Sequence, residues 1–217
     1  MPKVKVISRR RVFDDFFKID EARLRFERYD GSMSDEVRRL NFERGDSVAA
    51  LLVDAKARMV YLVEQFMYPT LAKAGGWLET VAAGMIEKGE TPEEAIRREI
   101  LEETGFAAER IEPIANFFVS PGGSSERIFL FCALISKKAR VAAGGGVAAE
   151  HEDIKLVAYR VDKFLAQIAA GGFPDAKTIV AGYWLKDNLA RIAPRRRRGR
   201  AKVTRRFSAS RSRRPRR

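Results

Sequence analysis

Residues 84–106, GMIEKGETPEEAIRREILEETGF, hold the middle of the chain to a turn, a helix and a stop. Thr91 is a good N-cap, Pro92 suits the first helical position, and Glu94 completes a capping box. Gly105 is placed to end the helix. The spacing predicts a helix over 92–104. Inside it Glu99, Glu102 and Glu103 stand at i, i+3 and i+4, so their carboxylates share one side. Like charges at that spacing destabilise an isolated helix by about 0.2–0.5 kcal/mol per pair. A solvated face balanced by Arg97 and Arg98 is the ordinary explanation. A hard cation, which prefers oxygen ligands, removes the same penalty in another way.

Strands are expected on both sides of this helix. Residues 22–29 and 35–43 read as strands around a turn at 29–32. Residues 47–53 and 58–66 form a hairpin, one strand runs from about Trp77 to Gly84, and others fit 111–118, 127–136 and 153–160. Helices fit 161–170 and a last amphipathic segment from near Asp175, carrying Ile179, Tyr183, Trp184 and Ile192. This order implies an α/β (α+β) fold, a sandwich around a mixed sheet, with a small N-terminal antiparallel sheet. The 46% apolar content is enough for a core in a chain of 217 residues. Cys132, the single cysteine, lies in the apolar run IFLFCALI, where a buried, reduced packing role is expected.

The net charge of +13 has to be located before it is interpreted. Residues 194–217 hold 13 Lys or Arg and no Asp or Glu; of the 42 basic residues 29 remain, against 29 acidic ones. The body is therefore formally neutral, and the basic excess says nothing about the folded part. The tail is rich in Ser, Arg and Pro and is expected to be disordered. No apolar stretch is long enough for a signal peptide or a bilayer span, and a reducing cytoplasm is the expected location. Three parts are expected: an N-terminal β-strand dimerisation region (1–45), a catalytic domain (46–193) and a basic tail (194–217).

The segment from Gly84 to Phe106 matches every fixed position of the pattern Gx5Ex7REUxEExGU. The chain thus resembles the Nudix hydrolases. That resemblance implies an α/β/α sandwich, a Mg²⁺ requirement (Mn²⁺ being the alternative) with two or three ions per site, and a nucleoside diphosphate linked to another moiety as substrate. Gly84 and Gly105 allow the turns into and out of the loop–helix unit. Arg98, beside Glu99, can orient carboxylates through charge-assisted hydrogen bonds. Glu99 and Glu103 are the first metal ligands, joined by Glu102. Glu90, near the positive end of the helix, is a further candidate. The backbone carbonyl of Ala83 is a ligand by resemblance.

Outside the box the chain resembles the ADP-ribose pyrophosphatases of that superfamily. The carriers are FFKID (16–20), GSMSDEVRR (31–39), FERG (42–45), VEQ (63–65), SPGGSSER (120–127) and EHEDI (150–154). By this resemblance the N-terminal strands swap between two subunits of a homodimer. Phe16 would then stack on adenine, while Arg38, Arg39 and Glu43 line the site. Met85, Ser120, Gly122 and Glu126 complete the substrate contacts, and the Ser/Gly turn offers backbone N–H groups. Transferred by position, Glu150 is the base for the attacking water and Glu152 a further metal ligand; the exchange of these two roles stays open. His151, the only histidine, is a residue type suited to base work, but it alternates with the two glutamates and points elsewhere. One position departs from the pattern: Met67 stands where relatives carry a cation.

Two other readings follow from the same residues. Met67 leaves room for GDP-mannose or another nucleotide sugar as substrate. The basic tail suits a polyanion-binding protein with a vestigial Nudix body, against which the complete set of carboxylates argues.

Overall fold

A computed structural model describes residues 1–192; the basic stretch 194–217, expected to be disordered, lies outside the described residues. Strands β1 (Val4–Asp14), β2 (Lys18–Phe26) and β3 (Val37–Glu43) form an antiparallel sheet in sequence order. There follow β4 (Ser47–Asp54), β5 (Met59–Phe66), the single-turn α1 (Leu71–Ala74), β6 (Trp77–Thr80), β7 (Ala82–Met85) and α2 (Pro92–Thr104). The rest is β8 (Arg110–Phe118), β9 (Arg127–Leu134), β10 (Lys155–Arg160), α3 (Val161–Ala169) and α4 (Ala176–Ile192). The second sheet has the order β10-β5-β4-β9-β8, with β6 beside β5 and β7 beside β4. Only β4 and β9 run parallel; the other pairs are antiparallel.

The sequence of β4, SVAALLVD, explains why it sits in the middle. All of its residues are buried, as expected of a strand covered on both faces. Val48, Ala50 and Leu52 pack against Ala95, Ile96 and Ile100 of α2. Ala49, Leu51 and Val53 alternate to the other face and meet Phe164 and Ile168 of α3 with Ala181 and Leu185 of α4. Each fully buried Leu or Val contributes about 1.5–3 kcal/mol. One helix on one face and two on the other make an α/β/α sandwich around a mixed sheet, the expected class.

The capping box of α2 is present: Thr91 Oγ1 accepts from Glu94 N–H, and the Glu94 carboxylate accepts from Thr91 N–H. Gly105 ends the helix at φ 73°. The expected single strand from Trp77 to Gly84 is in fact two strands. β6 pairs with β5 and β7 with β4. The change of partner falls at Val81, whose N–H donates to Thr178 Oγ1 of α4 (3.0 Å) rather than to a strand. At the N-terminus β2 starts and ends earlier than expected, and at its end the Ser34 hydroxyl accepts the Phe26 N–H. The two sheets are joined where Phe42 N–H donates to Gly123 O (2.8 Å) and Ser125 N–H to Phe42 O (3.3 Å). Among the described residues no helix is long and apolar enough to cross a membrane.

Candidate active site

Arg98 is the organising side chain. Its Nε and Nη2 reach the two oxygens of Glu90 (3.0 and 3.1 Å). Its Nη1 reaches Glu99 Oε1 (2.8 Å) and Glu102 Oε2 (3.1 Å), and Nη2 also donates to Met85 O (3.1 Å). The planar fork of arginine suits this simultaneous grip on several carboxylates. Glu90, a metal candidate from sequence, is thereby held on the arginine's outer edge, and its carboxyl is kept below the usual range by that bond.

Glu99 and Glu103 face inward. Glu103 is 2% exposed and its carboxylate accepts a backbone N–H from Ala83 (3.2 Å). Burial first, then the carboxylates of Glu99 and Glu152, push the Glu103 carboxyl well above the usual carboxylate range. Burial also raises Glu99, against the pull of Arg98. These are acids short of positive charge. Gly84 makes the arrangement possible in a way the sequence reading missed. Its φ is not in the left-handed region, so it is not needed for a turn. A Cβ there would lie 1.9 Å from Glu99 Oε1: the absent side chain is the space the carboxylate occupies.

Glu152 reaches this cluster through the loop 142–153. Gly145 N–H and Gly146 N–H donate to the last carbonyls of α2, Glu103 O (2.9 Å) and Glu102 O (3.0 Å). A Cβ on Gly144 would stand 2.6 Å from Thr104 C and 2.7 Å from Gly105 N. The glycine run is therefore what lets the loop close on the helix end. Val147 N–H then fixes the Glu152 carboxylate (2.9 Å). Glu150 ends a short 3-10 turn, Ala148–Glu150, and exposed His151 follows at φ 56°.

The substrate residues expected from sequence fall in two groups. Met85, inside the box, and Glu126 are linked through Ser47: Ser47 of β4 registers with Met85 of β7 and with Ile128 of β9, and Ser47 Oγ donates to Glu126 (2.8 Å). Glu43 accepts from Ser125 Oγ (2.6 Å), Gly45 N–H (2.9 Å) and Asn41 Nδ2 (3.3 Å), which keeps its carboxyl low and ties β3 to the 120–127 turn. That turn uses the N–H groups of Gly123 and Ser124 on Ser120 O, so they are not free; Ser120 and Gly122 are exposed. Phe16 is 78% exposed and meets Phe17 edge-on (4.8 Å). Arg38 bonds Glu21, and Arg39 donates to Arg38 O (3.0 Å). No hydrogen bond among the described residues joins these three to α2. Half-buried Met67 is held through its backbone, donating to Gly76 O (2.6 Å). Arg44, in the FERG run but not singled out from sequence, stands 3.6 Å from Glu126 and over the Phe17 ring.

The donor set suits a hard divalent cation: clustered carboxylate oxygens, those of Glu99 and Glu103 pushed upward by burial, and neither thiol nor imidazole among them. Among the described residues no three His, Cys, Asp or Glu side chains close into a finished cage. That is compatible with a magnesium-type ion, which takes one or two carboxylates and keeps positions for water and phosphate. Arg98 pairs with Glu99 and Glu102.

Comparison with known proteins agrees with this geometry. The NUDIX domain matches residues 43–179. The chain is 35% identical to the ADP-ribose pyrophosphatase of Escherichia coli over 185 residues, covering 84% of this chain and 88% of the relative. It is 31% identical to the GDP-mannose pyrophosphatase of Pectobacterium atrosepticum over 179 residues, covering 82% and 91%. A crystal structure of an ADP compounds hydrolase superposes with TM-score 0.66 at 18% identity, covering 87% of this chain and 95% of that one. The carboxylate helix, the sandwich that holds it and these matches agree: the chain belongs to the Nudix hydrolases.

Proposed function

We propose that this chain hydrolyses ADP-ribose to AMP and ribose 5-phosphate. The observation that carries the reading is the buried, arginine-forked carboxylate cluster of α2 with Glu152 brought against it, in a chain 35% identical to an ADP-ribose pyrophosphatase. Glu99, Glu102, Glu103, Glu152 and the carbonyl of Ala83 would hold Mg²⁺ or Mn²⁺, two or three ions in all. Such ions neutralise diphosphate charge and lower the pKa of a water. In the reaction a water oxygen bonds to one phosphorus, the bridging P–O bond breaks, and Glu150 takes the water's proton. Arg98 keeps Glu99 and Glu102 in place while this occurs. Glu126 and Met85 would border the sugar, and Phe16, Arg38, Arg39 and Glu43 the adenine, with the N-terminal strands (1–45) exchanged between two copies. Ser120 and Gly122 would border a phosphate or the ribose. A reducing cytoplasm suits the single buried thiol.

GDP-mannose is the second reading, favoured by Met67 and by the 31% identity to a GDP-mannose pyrophosphatase. A panel of nucleotide sugars with and without residues 194–217 separates the readings. ADP-ribose should give the highest kcat/KM, activity should vanish in EDTA, and the tail should be dispensable for turnover. A tenfold preference for GDP-mannose would promote the second reading. Glu150→Gln should lower kcat far more than KM, because the proton is taken only in the transition state. If Glu152→Gln lowers kcat more, with metal affinity unchanged, the two roles exchange. The tail's 13 cations should bind polyanions weakly and salt-dependently through counterion release.

A further inference from the structure

β7 makes two contacts with the carboxylate cluster. Ala83 N–H donates to Glu103, and the missing Cβ of Gly84 leaves room for Glu99. What fixes β7 along β4 therefore fixes the site. The chain arrives from β6, which ends at Thr80 beside β5, and resumes at Ala82 beside β4. Val81 stands between the two ladders and belongs to neither. It is fully buried, so its N–H has to find an acceptor inside the protein. That acceptor is Thr178 Oγ1 of α4, at 3.0 Å and 97 residues further along the chain.

Thr178 is itself fully buried, and its hydroxyl is not free to turn. Its single hydrogen goes to Asp175 Oδ2 (2.7 Å), so only lone pairs remain for Val81. The same Asp175 oxygen accepts Thr178 N–H (2.9 Å), and Oδ1 accepts from Lys177 Nζ (2.6 Å). The first turn of α4 thus holds one oxygen against Val81. Among the described residues only one other side-chain hydrogen bond joins α4 to the larger sheet. It runs from Arg191 to Glu112, at the opposite end of the helix. Strand geometry carries the effect onward. In a strand the N–H and C=O of one residue point the same way. Ala83 N–H is turned to Glu103, so the Ala83 carbonyl faces that side too.

We propose that Thr178, held by Asp175, is a positioning residue for the metal site: it pins the chain at Val81 and so sets the Ala83 carbonyl and the Glu103 carboxylate for a divalent cation. It acts through the backbone, from the side of the sheet opposite α2. The apolar contacts of Ala181 and Leu185 hold α4 on the sheet but have no direction, whereas a hydrogen bond fixes the strand along its length. The assignment rests on the reading that the α2 cluster binds a divalent cation.

The test uses the full-length protein and measures Mn²⁺ binding without substrate, from the spin resonance of free Mn²⁺. Wild type, T178V, T178S and L185A are compared. T178V keeps the shape of the side chain and orphans the Val81 N–H. It should weaken Mn²⁺ binding about tenfold or more, as loss of a residue that orients metal ligands does. T178S, which keeps the hydroxyl, should bind Mn²⁺ as the wild type does. In metal-free T178V, hydrogen exchange at residues 81–83 should quicken. L185A opens a cavity under the same helix and should lower Tm with Mn²⁺ affinity unchanged. If T178V does not fold, D175N, which frees the hydroxyl to turn, carries the test and should also weaken Mn²⁺ binding. A T178V protein with lowered Tm and wild-type Mn²⁺ affinity makes Thr178 purely structural and overturns the assignment, as does an equal loss of affinity in L185A. A wild type that binds no Mn²⁺ overturns the reading of the cluster and this assignment with it.

Discussion

A single hydrogen atom at position 84 decides where the Glu99 carboxylate lies. Gly84→Ala would drive a methyl to 1.9 Å from Glu99 Oε1 and force that side chain out of the cluster. A displacement near 1 Å in a catalytic constellation costs about 10²-fold in rate. We expect kcat to fall by that order while circular dichroism stays native; undiminished turnover in Gly84→Ala would show that Glu99 is not needed where it stands. Cys132 gives a second test at the same scale. Burial pushes its thiol from the ordinary 9.0 to about 12, so the folded state favours the neutral form. Below pH 9.0 the site adds nothing against folding, and between 9.0 and about 12 it opposes folding increasingly, because only the unfolded thiol ionises. A thiol reagent at pH 8 should leave the native protein unmodified and label it once denatured; rapid labelling of native protein would contradict the burial. The identities of Glu99, Glu102, Glu103 and Arg98 were legible because their spacing is itself the signal. The reason for Gly84 was not, since the contact it relieves belongs to a helix fifteen residues away.

α2 was readable from end to end because each of its signals is local. Thr91, Pro92, Glu94 and Gly105 act within one turn of the residues they cap. Thr91→Ala removes the side-chain acceptor for Glu94 N–H and should cost about 1 kcal/mol. In a domain of this size that is a fall in Tm of roughly 2–4 °C, checked by calorimetry; no fall would mean that packing of Ile96 and Ile100 alone holds the helix start. The division between β6 and β7 was not readable. It depends on Thr178, 97 residues further along the chain, taking the N–H of Val81. Local alternation cannot reveal a change of strand partner imposed from α4. The loop 142–153 lies between these cases. Its glycines were visible, yet their use, bringing Glu152 to the cluster by bonding the last carbonyls of α2, needs the helix end in place first.

The N-terminal sheet leaves apolar surface uncovered within one chain. Every residue of β1 is exposed, including Val4 (62%) and Val6 (58%), and register places these two against Phe26 and Leu24 on one face. Three strands with little core of their own are marginal in water. Contiguous exposed apolar surface of this kind marks an interface. Two of the four residues expected to border adenine, Phe16 and Arg39, point the same way. Phe16 is 78% exposed and meets only Phe17 edge-on, and among the described residues the Arg39 side chain donates only to the neighbouring backbone. A second copy of this chain, laid against the strands of residues 1–45, would cover the apolar face and give Phe16 and Arg39 a pocket to complete. We therefore expect a homodimer by light scattering at micromolar concentration. Val6→Asp, which sets a charge in the apolar patch, should shift it toward monomer and raise KM for ADP-ribose, while the α/β/α core, built on β4, keeps its Tm. A wild-type protein that is monomeric at that concentration and fully active would mean that one chain forms the whole site, and the exposed face of β1 would need another explanation.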